Sequence, residues 1–243
     1  MRSNTGSDIE LEVAKAESLF DLPPITNKIN GETLHATEIN EIESGWLSTK
    51  TINASMELLR QHSPSLGALY NCMWGQTLEF EAANSSQWIQ ILHNGTNHWL
   101  LACKGFDSED SNLVLVYDSS ISGDSPGQHV IYCIAQITQT EKKYLKLGLM
   151  DCEQQRDSSS CGVYAVAFAT ALVFGMNPAE LRFDLPKMRP HLMDCLRSSS
   201  IHPFPTVGTR VRSQWRPKKN AHSLFTAFAG FRMGILNFPS IIR

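Results

Sequence analysis

The 243-residue sequence predicts an α+β fold, a central, mostly antiparallel sheet with one buried helix packed against it. Three observations predict it. Apolar runs at 87–92, 98–103 and 113–118 have the length and the Ile, Leu, Val and Trp content of strands. The second and third are separated by a polar loop suited to an antiparallel pair. The run from Val163 to Phe174 is long enough for a buried helix, and it opens on Cys161-Gly162.

Taken in order, residues 1–34 are weakly periodic, broken at Pro23-Pro24, and read as a loose arm. Glu38 to Glu43 predicts a short helix ended by Gly45, after which Trp46-Leu47 begins something new. Ser48 or Thr49 can cap a helix to about His62, with Ile52, Met56 and Leu59 on one face and Pro64 beyond its end. The three strands follow, then a Ser/Gly/Pro linker over 119–127. Residues 129–138 fit helix or strand, helix being preferred, and Tyr144–Cys152 reads as a strand. Gly175 stops the buried helix, and Asn177-Pro178 has the cap-then-proline form of a new helix start. A last helix is expected over 185–196 with Pro186 in its first turn, although Pro190 argues against it. The division is an arm at 1–34, a main domain at 35–204 and a C-terminal tail at 205–243, basic from Arg210 to Lys219 and then apolar without pattern. The basic stretch reads as a solvated tail rather than a nucleic-acid patch.

Composition narrows the classes. A content of 42% hydrophobic and 19% charged residues supports a real core. A net charge of −3 leaves no electrostatic footprint for nucleic acid. No run approaches the roughly eighteen apolar residues of a membrane span. The first residues lack a signal-peptide core, so an intracellular site, nucleus or cytoplasm, is expected, with the protein a monomer. The six cysteines (Cys72, Cys103, Cys133, Cys152, Cys161 and Cys195) include no Cys-x-x-Cys pair, so free thiols are expected and no metal or cofactor.

The chemistry centres on Cys161. A thiol at a helix N-terminus meets the positive end of the macrodipole, which favours thiolate. Ser158-Ser159-Ser160 before it and Gly162 after it are small, which would let a substrate backbone approach the sulfur. His98 opens one strand and Asp118 ends its neighbour, as an imidazole base and the carboxylate orienting it would. A Gln before the helix, Gln154 or Gln155, can donate to a developing oxyanion, together with the helix's free N–H groups. Order and spacing suggest a cysteine peptidase.

These residues carry a family resemblance. Trp46-Leu47 with Ile52 and Leu58-Leu59, His98-Trp99, Tyr117-Asp118-Ser119, and Gln154-Gln155 followed by Cys161-Gly162-Val163-Tyr164 resemble the ubiquitin-like-protein-specific cysteine peptidases of the SUMO-protease type, a group related to the adenovirus protease. The resemblance covers roughly residues 37–200. It implies a papain-like fold, a catalytic set of His98, Asp118, Gln155 (six before the Cys) and Cys161, and Trp46 and Trp99 roofing a channel for a C-terminal Gly-Gly. The implied partner is a ubiquitin-like modifier, SUMO-like by preference, or its conjugates. Departures are Ser160 where the family has Asp, and a longer His-to-Asp interval. The compact chain and its tail are also similar to members carried by mobile elements. The alternatives are a peptidase of polyprotein or peptide junctions and a catalytically inactive modifier-binding module.

Overall fold

The computed structural model describes residues 25–26, 33–106, 110–120, 125–139, 145–210 and 218–222. Its elements run β1 (Ile25–Thr26), β2 (Thr33–Leu34), α1 (Ala36–Ser44), α2 (Thr49–His62), β3 (Gly67–Ala68), α3 (Trp74–Thr77), β4 (Trp88–His93), β5 (Trp99–Lys104), β6 (Val114–Tyr117), α4 (Gln128–Thr138), β7 (Leu145–Met150), α5 (Cys161–Val173), a 3-10 turn (Pro178–Glu180), β8 (Leu181–Phe183), α6 (Leu185–Ser198), β9 (Thr206–Thr209) and β10 (Lys218–His222).

The central sheet has the order β10-β7-β6-β5-β4-β3. The β10–β7, β6–β5 and β5–β4 pairs are antiparallel, whereas β7–β6 and β4–β3 are parallel. The expected α+β architecture with a mostly antiparallel sheet is therefore present. Its middle strands are apolar at nearly every position because both faces are covered. Ile89, Ile91, Leu101, Cys103, Leu115 and Tyr117 point into a core shared with α1, α2, α5 and α6. Trp88, Leu92, Leu100, Ala102, Val114 and Val116 point the other way, onto α4.

Local chemistry explains the helices. Ser48 caps α2, its Oγ accepting from the Thr51 N–H, and Ile52, Met56 and Leu59 are buried as their spacing predicts. Residues 128–138 are helical because Val130, Ile134 and Ile137 recur at helical spacing and are almost fully buried. In α6, Pro190 lies within the helix, which continues to Ser198 because Met188, Leu192, Met193, Cys195 and Leu196 bury one continuous face. The Asn177 side chain accepts from Ala179 N–H, and the turn it starts is a single 3-10 turn rather than an α-helix.

Two segments differ from the expected division. The arm contributes the small β1–β2 pair, and Leu34 is buried in the main core. Described elements also pass residue 204: β9 pairs with β8, and β10 extends the main sheet beside β7. Arg210, read as the start of a solvated tail, is instead an anchor. Its guanidinium meets Asp151 Oδ1 at 2.8 Å and Asp151 O at 2.9 Å, and its N–H donates to Glu180 O. Arg212, Arg216 and the apolar end at 223–243 lie outside the described residues, as do residues 1–24 of the arm. All six cysteines are free and buried. Among the described residues no helix is long and apolar enough to cross a membrane.

Candidate active site

β5 and β6 are antiparallel neighbours, so the start of one and the end of the other lie at the same end of the sheet. His98 immediately precedes β5 and Asp118 immediately follows β6. The β4–β5 turn is shaped by Asn94, whose Oδ1 accepts from the N–H groups of Thr96, Asn97 and His98 at 2.9, 3.0 and 3.1 Å. Gly95 takes φ +86°, which a residue with a Cβ rarely adopts. This turn delivers His98 to Asp118: His98 Nε2 lies 2.6 Å from Asp118 Oδ1. The same carboxylate oxygen accepts from Ser120 N–H at 2.8 Å, which fixes its direction.

Cys161 is the first residue of α5, and its thiol lies close enough to the His98 side chain for the two to interact. With Nε2 on Asp118, Nδ1 is the ring nitrogen left for the sulfur. Burial by itself pushes the Cys161 thiol up. The His98 hydrogen bond, backbone hydrogen bonds at Trp99 and Gly162, and the imidazolium charge outweigh it and bring the thiol below its ordinary 9.0. Burial likewise pushes His98 down, yet hydrogen bonds and charge from Asp118 and Cys161 raise it to about 9. The other thiols behave oppositely. Burial takes Cys72 and Cys133 to about 12, and it also raises Cys103, Cys152 and Cys195. Cys161 alone among the six is poised toward thiolate.

A cleft of about 510 Å³ opens beside the pair, lined among others by Trp46, Asn97, His98, Asp118 and Gln155. A second hollow of about 290 Å³, lined by Trp46, Leu47, Asn97, Trp99 and Cys161, adjoins it. Trp46 and Asn97 border both, so the two form one groove passing the sulfur. Of the two tryptophans expected to roof a channel, Trp46 stands 47% exposed on the rim. Trp99 is only 7% exposed and is a wall, its indole Nε1–H donating to Leu47 O at 3.0 Å.

Gln155, rather than Gln154, lines the cleft. Its N–H donates to Ser119 O at 2.7 Å and its Oε1 accepts from Ser119 Oγ at 2.8 Å, which ties it to the residue after Asp118. Its Nε2 gives one hydrogen to Asp157 O at 2.7 Å and carries a second. Gln154 donates instead to Asp118 O and Cys152 O.

Gly162 corrects the sequence reading. A Cβ there would lie 3.0 Å from Leu47 Cβ and 3.1 Å from Leu47 Cγ. The glycine thus admits Leu47, and with it the loop carrying Trp46, rather than a substrate backbone. Asp157 went unread as well. Its Oδ1 accepts from Ser159 N–H at 2.8 Å and Ser160 N–H at 2.7 Å, and its Oδ2 from Ser160 Oγ at 2.8 Å. Burial pushes the Asp157 carboxyl up, but these bonds and the Arg189 charge hold it below the usual range. An Asp preceding a run of serines at a helix start was the available signal.

Comparison with known proteins adds three kinds of finding. Residues 87–198 match the family described as the Ulp1 protease family, C-terminal catalytic domain. No curated protein sequence matches the chain. Among solved structures, the chain is similar to the C-terminal Ulp1 protease domain in complex with Smt3, the yeast ortholog of SUMO, at 13% identity and a TM-score of 0.57, covering 76% of this chain and 93% of that one. It is also similar to the SUMO protease Ulp1 with its catalytic cysteine oxidised to a sulfinic acid, at 12% identity and TM-score 0.56, covering 82% and 96%. The Chaetomium thermophilum Ulp1-like SUMO protease catalytic domain aligns at 15% identity and TM-score 0.55, covering 78% and 89%. The papain-like α+β fold expected from the sequence is the fold of these proteins.

Proposed function

We propose that the chain is a cysteine peptidase of the Ulp1 protease family, whose catalytic-domain model residues 87–198 match, and that it cleaves after the C-terminal glycine of a ubiquitin-like modifier, SUMO-like by preference. The observation that carries the reading is the thiol of Cys161, the only one of six displaced toward thiolate, paired with an imidazole raised to about 9 and set in a groove.

Cys161 Sγ attacks the carbonyl carbon of the terminal glycine, and the carbonyl π pair moves onto oxygen. Gln155 Nε2–H and the backbone N–H groups at the start of α5 face that oxyanion. The C–N bond then breaks, with the imidazolium of His98 giving its proton to the departing amine, and a thioester remains on Cys161. Water loses a proton to His98 and attacks the thioester; collapse expels the thiolate and frees the modifier's carboxylate. Asp118 holds the His98 ring and its tautomer throughout. The hollow between Trp46 and Trp99 favours residues without side chains beside the sulfur, which suits a Gly-Gly tail. Ser160 is no obstacle in this reading, because Asp157 supplies a carboxylate at the same turn. The free thiols fit a reducing, intracellular setting.

The test is a panel of ubiquitin-like modifiers, each with a C-terminal thiol-reactive warhead, incubated with wild type and with Cys161→Ala. A covalent adduct with a SUMO-type modifier, absent in the variant, is the expected result. Folded wild type that labels with no modifier but cuts short peptides would replace this reading with a peptide-junction peptidase.

A further inference from the structure

We infer that Arg189 is a positioning residue that locks the nucleophile's loop to the cleft wall, an inference that rests on Cys161 being the nucleophile. The half-buried guanidinium of Arg189, on α6, has two faces. Nη1 donates to Glu41 O and Ile42 O, both at 3.0 Å. Nη2 reaches Ser159 O at 3.2 Å, Ser159 Oγ at 3.3 Å and Ser160 Oγ at 3.5 Å.

Each face holds something the chemistry needs. Glu41 and Ile42 belong to the last turn of α1 and present the negative end of the helix dipole; Glu41 O also accepts from the Gly45 N–H at 2.9 Å, so Arg189 adds to the cap that already ends the helix. From that turn the chain passes through Gly45 into Trp46 and Leu47. Glu41 Oε2 also accepts from Ser48 N–H at 3.2 Å, so the end of α1 and the Trp46–Leu47 loop move as one. Leu47 rests on Gly162, one residue past the nucleophile. The other face of Arg189 holds Ser159 and Ser160, the two residues before Cys161. One planar, rigid fork therefore sets the distance between the exposed Trp46 rim and the sulfur. Asp157 closes the same turn from the opposite side, and the Arg189 charge acts on both Asp157 and Cys161.

Lysine keeps the charge but cannot span both faces. This separates positioning from electrostatics. Three proteins are compared: wild type, Arg189→Lys and Arg189→Met, each checked for folding by its thermal transition. Two readouts follow: kcat and KM on SUMO carrying a C-terminal aminocoumarin, and the pH midpoint of iodoacetamide alkylation at Cys161. Arg189→Lys is expected to lower kcat by about 100-fold, as an ångström-scale misplacement does, with the alkylation midpoint unmoved. Arg189→Met is expected to lose as much and to shift the midpoint upward. Folded variants that keep kcat within threefold of wild type overturn the inference. So does a kcat loss in Arg189→Lys that is fully explained by a shifted midpoint, since the cation would then be the whole effect. If neither variant folds, Ser159→Ala removes the 3.3 Å contact to Arg189 Nη2 while leaving the Ser160–Asp157 bond in place; a kcat loss of several-fold supports the lock, and an unchanged kcat overturns it. Alkylation needs no modifier. If wild type cleaves no modifier while its alkylation rate still responds to Arg189, the proposed function fails and the lock stands.

Discussion

Replacing Asp118 by Asn tests the ion pair at its most exposed assumption. The change keeps the shape and an acceptor oxygen but removes the charge 2.6 Å from His98 Nε2. Lifting His98 from 6.5 to about 9 corresponds to roughly 3 kcal/mol of preference for the imidazolium, in a side chain 13% exposed. Burial opposes that lift and Cys161 shares in it, so without Asp118 the ring falls from about 9 toward 6.5. At pH 7.5 a full return to 6.5 would take the imidazolium fraction from roughly 97% to roughly 10%, about tenfold. If the Asn amide turns its N–H₂ toward Nε2, it enforces the tautomer with hydrogen on Nδ1, which cannot take a proton from the thiol. Protonation and orientation together predict a loss of about 100- to 1,000-fold in kcat/KM. The assay is kcat/KM on a modifier–aminocoumarin across pH, where the alkaline limb reports loss of the imidazolium. Asp118→Asn should move that limb down from near 9 toward 6.5. A variant retaining its limb near 9 and activity within threefold of wild type would refute the account of how His98 is charged.

Three further outcomes follow from the same geometry. Between about pH 6.5 and 9 the stability from the raised His98 declines as pH rises, while that from the depressed Cys161 grows as pH rises toward 9. The two oppose each other, so urea midpoints of wild type should fall less steeply with pH across this window than those of Cys161→Ala, which is left with the histidine alone. Gly162→Ala places a Cβ 3.0 Å from Leu47 Cβ, and overpacking should exceed the helix-propensity gain by about 1 kcal/mol, read as a lower thermal midpoint. Gln90 is fully buried, its Oε1 accepting from Tyr70 N–H at 2.7 Å and its Nε2 donating to Tyr70 O at 3.0 Å; Gln90→Leu should cost about 2 kcal/mol in urea unfolding, and an unchanged midpoint would discount this bridge.

Much of this was legible in the chain because it is written locally. The runs forming β4, β5, β6 and α5 are apolar through their length, and both the faces they bury and the ends they present follow from that. His98 and Asp118 could be named because each borders such a run. What escaped is non-local. β3 has two residues, and with Ala68 and Leu69 both at positive φ its pairing passes to the side chain of Gln90, 20 residues away in sequence for Tyr70. Arg189 meets carbonyls 148 and 147 positions upstream, and carbonyls carry no residue identity. Gly162 was misread for a related reason: an absent side chain does not say which neighbour fills the space. Arg210 looked like one of a cluster of charges until Asp151 gave it a partner.

The seating of α6 against α1 sets an order of events during synthesis. The His98 turn, the Asp118 strand end and Cys161 all leave the ribosome before the helix that carries Arg189. Domains made on the ribosome generally fold as units, and α6 shares its core with α1, α2 and α5. A nascent chain would thus carry His98, Asp118 and Cys161 while the end of α1 and the Trp46 rim still lacked their clamp. A product truncated or stalled before α6 would hold the three proposed catalytic residues without the helix proposed to align them.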